Sequence, residues 1–157
     1  LTLPDSDVTV VYSGAGYRDH LLTIRQGGTS GSVSTVAITN GVVSAAHSIV
    51  GQSEDPNAGL VASGADVAGA TASLDPSSGQ GPYYSGASGL PDPQLTSTSN
   101  VGSFIFTNVD PGTFDLIVDH PSLTCSSDIG VVGQLPNSAE SFVEAGAITI
   151  VSTFSCQ

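Results

Sequence analysis

The chain has 157 residues, among them 19 Gly and 9 Pro, is 39% hydrophobic, and carries a formal net charge of −12 from 14 acidic and 2 basic side chains. The length fits one domain with an appendage, the apolar content excludes a disordered polyanion, and the Gly, Pro and β-branched content fits short strands joined by tight turns. Both basic residues are arginines, Arg18 and Arg25, so lysine-dependent phosphate loops, Schiff bases and isopeptide crosslinks are excluded, and the negative charge argues against nucleic acid or an anionic membrane as partner.

In chain order, the first feature is an extended amino-terminal segment. Leu1 and Leu3, then Val8, Val10 and Tyr12, stand at alternate positions about Pro4-Asp5-Ser6 and present one apolar face. Such a face is buried either by pairing within its own domain or by adding to a neighbouring subunit's sheet. Period-2 alternation predicts strands over 7–13, 20–26, 33–39, 42–50, 64–74, 104–108, 114–119 and 147–154. Asn40-Gly41, between two of these runs, predicts a two-residue hairpin turn. Residues 75–100, rich in Pro and Gly and without sustained periodicity, read as one long loop, and 137–144 as a short helix after an Asn137 N-cap. These elements divide the chain into an amino-terminal strand extension over 1–45, a candidate inter-subunit strand, and a main domain over 46–157.

Residues 103–118 read SFIFTNVDPGTFDLIV: Phe104 and Phe106, then Asp110-Pro111-Gly112-Thr113, then Phe114, Leu116 and Val118 in renewed alternation. Proline followed by glycine at a turn centre predicts a hairpin whose two strands put these apolar residues inward. The segment resembles the one that recurs in carboxypeptidase regulatory-like and transthyretin-like (prealbumin-like) domains, with Phe114 where that pattern often has Tyr. Ile49-Val50-Gly51-Gln52, Gly64-Ala65-Asp66-Val67 and the 143–151 run extend the likeness over about residues 48–154. It implies an all-β fold, a Greek-key β-sandwich of the transthyretin-like or carboxypeptidase regulatory-like type, with extra amino-terminal strands.

Catalytic chemistry has little to draw on. The histidines are His20, His47 and His120; the first and last each follow an Asp, but neighbours on a strand point to opposite faces, so neither forms an Asp-His couple. The hydroxyisourate-cleaving members of the resembled group end in Tyr-Arg-Gly-Ser, whereas this chain ends Thr153-Phe154-Ser155-Cys156-Gln157. Tyr83-Tyr84 with His47 and His120 supply the residue types of an intradiol iron site without its spacing, and the turn that begins at Asp55 lacks the glutamate of a calcium loop. The expectation is a protein that is not an enzyme, with no cofactor and no metal. Tyr83 and Tyr84 remain a possible ligand surface.

Cys125 and Cys156 are the only cysteines, in no metal-ligand spacing, and are expected to form a disulfide within one chain, which places the protein outside the cytosol. The start at Leu1 reads as a processed chain, and with no apolar stretch near 20 residues no membrane insertion is expected. Together these features predict a secreted, non-catalytic structural protein that self-associates into an extracellular filament or surface assembly. The second expectation is a monomeric accessory module that binds carbohydrate or protein.

Overall fold

A computed structural model describes residues 8–24, 37–127, 131–133 and 135–157. The described residues are all-β apart from one helix. Six strands form one sheet: β1 (Val8–Tyr12), β2 (His20–Ile24), β3 (Gly59–Gly64), β5 (Gln80–Tyr84), β6 (Ser103–Val109) and β11 (Ile148–Ile150), in the order β1-β2-β11-β3-β6-β5. A second sheet has the order β4-β7-β10-β9, from β4 (Thr71–Asp75), β7 (Gly112–Asp119), β9 (Val131–Val132) and β10 (Ser138–Val143). The last pair is β8 (Cys125–Ser127) with β12 (Phe154–Cys156), and α1 spans Asn40–Ile49.

The two larger sheets meet across a common core. Val61, Phe104 and Phe106 enter it from the first sheet, and Leu74, Phe114, Leu116, Val118 and Val143 from the second. Alternation dictates this, because Phe104 and Phe106 of β6 and Phe114, Leu116 and Val118 of β7 are buried at every second position. The expected inward residues Phe104, Phe106, Phe114 and Leu116 are all buried.

The Pro-Gly hairpin is corrected. β6 and β7 follow one another through Asp110-Pro111 but do not pair: β6 bonds to β3 and β5, and β7 to β4 and β10. The turn is therefore an arch from one sheet to the other. It lays the two apolar faces against each other rather than side by side, and both arrangements bury the same residues.

The strand predicted over 42–50, and the Asn40-Gly41 hairpin before it, are replaced by α1. Thr39 is its N-cap, its hydroxyl accepting from the Val42 N–H, and Gly51, at φ +69°, follows the last turn. There the Gly51 and Gln52 N–H groups donate to the Ser48 and His47 carbonyls, a Schellman closure that favours glycine. Val43, Ala46 and His47 form the buried stripe, with Val43 packed on Leu60 and Ile148 against the outer face of the six-stranded sheet.

Four further boundaries differ. The 64–74 strand is two, β3 ending at Gly64 and β4 starting at Thr71 in the opposite sheet; the 147–154 strand is likewise divided between β11 and β12. The 75–100 loop contains β5, and the 137–144 helix is β10, where Ala139, Ser141 and Val143 alternate inward. Of the 33–39 strand, residues 33–36 lie outside the described residues, as does Arg25.

One rung of the second sheet sets like charges side by side. Asp115 on β7 lies opposite Asp75 on β4 and Glu140 on β10, on the face away from the core. Like charges in directly opposed cross-strand positions repel. Glu140→Lys is therefore expected to raise stability by about 0.5–1 kcal/mol in urea unfolding, the gain shrinking as salt is added.

Candidate functional site

Strand β1 is the outer edge of the six-stranded sheet. It pairs with β2 in a regular five-residue antiparallel register, Val8 with Ile24 through Tyr12 with His20, and β2 continues into the sheet by parallel pairing with β11. The segment singled out for assembly thus adds to its own chain's sheet, and among the described residues no strand pairs with its other edge. Val11 is 55% and Tyr12 40% exposed, and Val10 is half-buried. Leu1 and Leu3 lie outside the described residues.

Two other edge strands, β5 and β4, have groups that are already engaged. On β5, Pro82 lacks an N–H, the pairing with β6 is irregular between Gln80 and Tyr83, and the Tyr84 carbonyl accepts from the Asp92 N–H. On β4, the Ala72 N–H donates to the Tyr84 hydroxyl.

That bond decides the fate of the tyrosine pair. Adjacent on a strand, Tyr83 and Tyr84 face opposite ways. Tyr84 is buried among core residues, edge-on to Phe104 with ring centroids 6.0 Å apart, while Tyr83 is half-buried on the other face. Burial pushes the Tyr84 hydroxyl's pKa up, with the Ala72 hydrogen bond opposing. The two rings form no shared platform.

The histidines are placed apart. Nε2 of buried His20 accepts from the Ile38 N–H at 2.8 Å, and Nδ1 of His120 accepts from the Ser122 N–H at 3.2 Å. His47, in the last turn of α1, is buried with no hydrogen-bond partner on either ring nitrogen among the described residues. Near it, Arg18 bridges two elements: one guanidinium nitrogen pairs with Glu54 and another donates to the Gly146 carbonyl at 3.3 Å. Among the described residues no group of three or more His, Cys, Asp or Glu is arranged to hold a metal ion. Asp55 shapes an ordinary turn, its carboxylate accepting from the Asn57 N–H at 2.8 Å.

Desolvation holds the His47 pKa below its ordinary 6.5, with Glu54 raising and Arg18 lowering it. In the unfolded chain the ring takes up a proton near 6.5, while in the folded chain it stays neutral to lower pH. Its contribution is therefore complete above that pH and lost as pH falls below it toward the folded pKa. His47→Leu is expected to flatten the fall in melting temperature between about pH 7.5 and 5 relative to the unchanged chain. Parallel slopes for the two proteins would contradict this.

A cavity of about 350 Å³ lies between α1, the outer face of the six-stranded sheet and the segment after β5. Val43 and Ala46 line it from the helix, Ala62 and Ile105 from the sheet, and Leu90 and Pro91 from the loop, with no ionisable side chain in the lining. Sequence reading missed this space because it read α1 as a strand.

No protein-family model matches the chain, and no curated protein or solved structure is significantly similar to it. The site therefore rests on its own geometry. At the opposite end of the chain Cys125 and Cys156 face each other across β8 and β12 and are joined by a disulfide. Among the described residues no helix is long and apolar enough to cross a membrane.

Proposed function

We propose that the chain is a secreted, non-catalytic structural module, a β-sandwich of the transthyretin-like or carboxypeptidase regulatory-like type that self-associates within an extracellular assembly. The observation that carries the self-association is the outer edge of β1: five residues, VTVVY, without charge or proline, in regular register, with Val11 and Tyr12 exposed. Edge strands of this composition are templates for pairing with another chain, and proteins that stay apart blunt them with charge, proline or a bulge. The disulfide supports a location outside the cytosol. The packing of two apolar sheet faces on one core, with consecutive strands β6 and β7 divided between them, supports the sandwich reading.

Sedimentation of the full chain against concentration tests the reading, with Val11→Lys as the comparison. The unchanged chain is expected to sediment as a concentration-dependent oligomer. Val11→Lys is expected to be monomeric with stability within about 0.5 kcal/mol of the original, because the position is exposed. A full-length chain that stays monomeric at every concentration would remove this reading.

The cavity beside α1 favours a second reading, a module that binds a small neutral apolar ligand. Enhancement of a polarity-sensitive dye by the monomer, abolished by Ala62→Phe, would support it, and equal enhancement by that variant would oppose it.

A further inference from the structure

We infer that the 38–52 segment, with α1 at its centre, is a latch that acid releases from the sandwich while the two main sheets stay folded. Two histidines hold its ends, and both do so only when neutral. At the start, Nε2 of His20 on β2 accepts from the Ile38 N–H at 2.8 Å, a role that needs the lone pair of that nitrogen. A proton there turns the acceptor into a donor, and the bond is lost. At the other end His47, in the last turn of α1, is 3% exposed and has no hydrogen-bond partner on either ring nitrogen. Its neutral ring is packed like an apolar side chain, and protonation would bury a charge with nothing to accept its N–H groups.

The charges around these rings sharpen the effect. Among the described residues, Glu54 and Arg18 are the charged side chains that act on His47. Glu54 is already paired with Arg18, whose other terminal nitrogen donates to the Gly146 carbonyl and whose Nε is buried without a partner. A cation at His47 would therefore either draw Glu54 away from Arg18 or share that one anion with it, and release into water relieves both. Beside His20 stand Tyr12 and Ile148 in the strand pairs; the neighbouring Asp19 is exposed, and no Asp or Glu is buried among the described residues.

The segment can leave without the core. None of its residues belongs to the main cluster between the sheets, and α1 rests on the outer face through Val43 against Leu60 and Ile148, beside the cavity of about 350 Å³. After it, the Asn108 side chain donates to the Ser53 carbonyl and accepts from the Asp55 N–H, which fixes the far limit of the released unit. Elements with so few buried contacts open below the free energy of global unfolding. Protons taken up by the open form deepen that opening by up to about tenfold per pH unit for each proton. Because His47 stays neutral below its ordinary 6.5 while the segment is docked, release grows as pH falls from that value.

The latch concerns one chain and holds whether or not copies associate. Amide hydrogen exchange of the full chain, corrected for the slower intrinsic exchange in acid, tests it. Between pH 7.5 and 5 the opening equilibrium of the α1 amides is expected to rise at least about fivefold, while the amides of 104–109 and 114–118 keep their protection. The Ile38 amide should lose protection together with α1, and an Ile38 that stays protected would overturn the part given to His20. His47→Leu should remove most of the rise in α1; His47→Gln, neutral but polar, gives the same comparison if the leucine variant does not fold. A rise of equal size in 104–109 would mean global unfolding and would overturn the local release. So would an α1 opening that does not change with pH, or a rise that the His47 variants keep in full.

Discussion

Phe104→Ala is expected to cost about 3–5 kcal/mol of folding stability, the usual loss when a buried aromatic ring is deleted. Phe104 is 1% exposed, and its ring meets Tyr84 at 6.0 Å and Phe106 at 6.2 Å between centroids, both edge to face. Such pairs contribute about 0.5–1.5 kcal/mol beyond the area they bury. The loss also reaches further than one strand. Tyr84 belongs to the six-stranded sheet, but its hydroxyl accepts from Ala72 in the four-stranded sheet, so the ring that Phe104 supports is a tie between the two. Phe142→Ala is the matching control: Phe142 is 40% exposed on the outer face of β10, and its loss should stay within about 0.5 kcal/mol. Urea unfolding measures both. Similar small losses would mean that the inward and outward faces have been misassigned.

The core was the part most open to reading. Phe104 and Phe106, then Phe114, Leu116 and Val118, keep a strict two-residue period, and only a strand puts all of them on one side. Whether those strands lie side by side or face to face was not legible, since the arch at Pro111 and a hairpin there bury the same five side chains. The helix was misread for a local reason. In VVSAAHSIV the apolar residues satisfy both periods, and Asn40-Gly41 is a strong turn dipeptide. The signals that separate the two readings flank the run: Thr39 three residues before the Val42 N–H that it caps, and Gly51 where the helix closes. At 137–144 Asn137 resembles a helix cap, but the inward alternation of Ala139, Ser141 and Val143 belongs to a strand.

The candidate site divides in the same way. An apolar, uncharged β1 is a property of five consecutive letters and could be read. That its inner edge joins β2, and through β2 the parallel strand β11, depends on residues more than a hundred positions away. Buried His47 and the cavity beside α1 depend on the helix, so they disappeared with it. Tyr84 could be recognised as an aromatic residue on an alternating segment, but its role as a sheet-to-sheet tie comes from Ala72 and Phe104, each on another strand.

The disulfide pairing, by contrast, needed only a count of two cysteines, and removing it gives the other large expected effect. Changing Cys125 and Cys156 together to Ala frees a loop with a sequence separation of 31, which on the chain-entropy account costs about 3–4 kcal/mol. For a chain of this size that corresponds to a melting temperature lower by roughly 10 °C. The fold should nonetheless survive, because β12 has other anchors. The Asp66 carboxylate accepts from the Cys156 N–H at 2.9 Å and the Ser155 hydroxyl at 3.0 Å, Thr124 and Gln157 exchange backbone bonds at 2.9 Å, and Phe154 is fully buried. Loss of the crosslink alone should therefore speed amide exchange mainly in 124–127 and 154–157, while adding Asp66→Ala should release the terminal strand as well. Intact-mass measurement with thiol alkylation supplies the first check, with no labelled cysteine expected before reduction. Two labelled thiols in the unreduced chain, or a melting temperature indifferent to reductant, would show that the terminal strand is held by Asp66 and Phe154 rather than by sulfur.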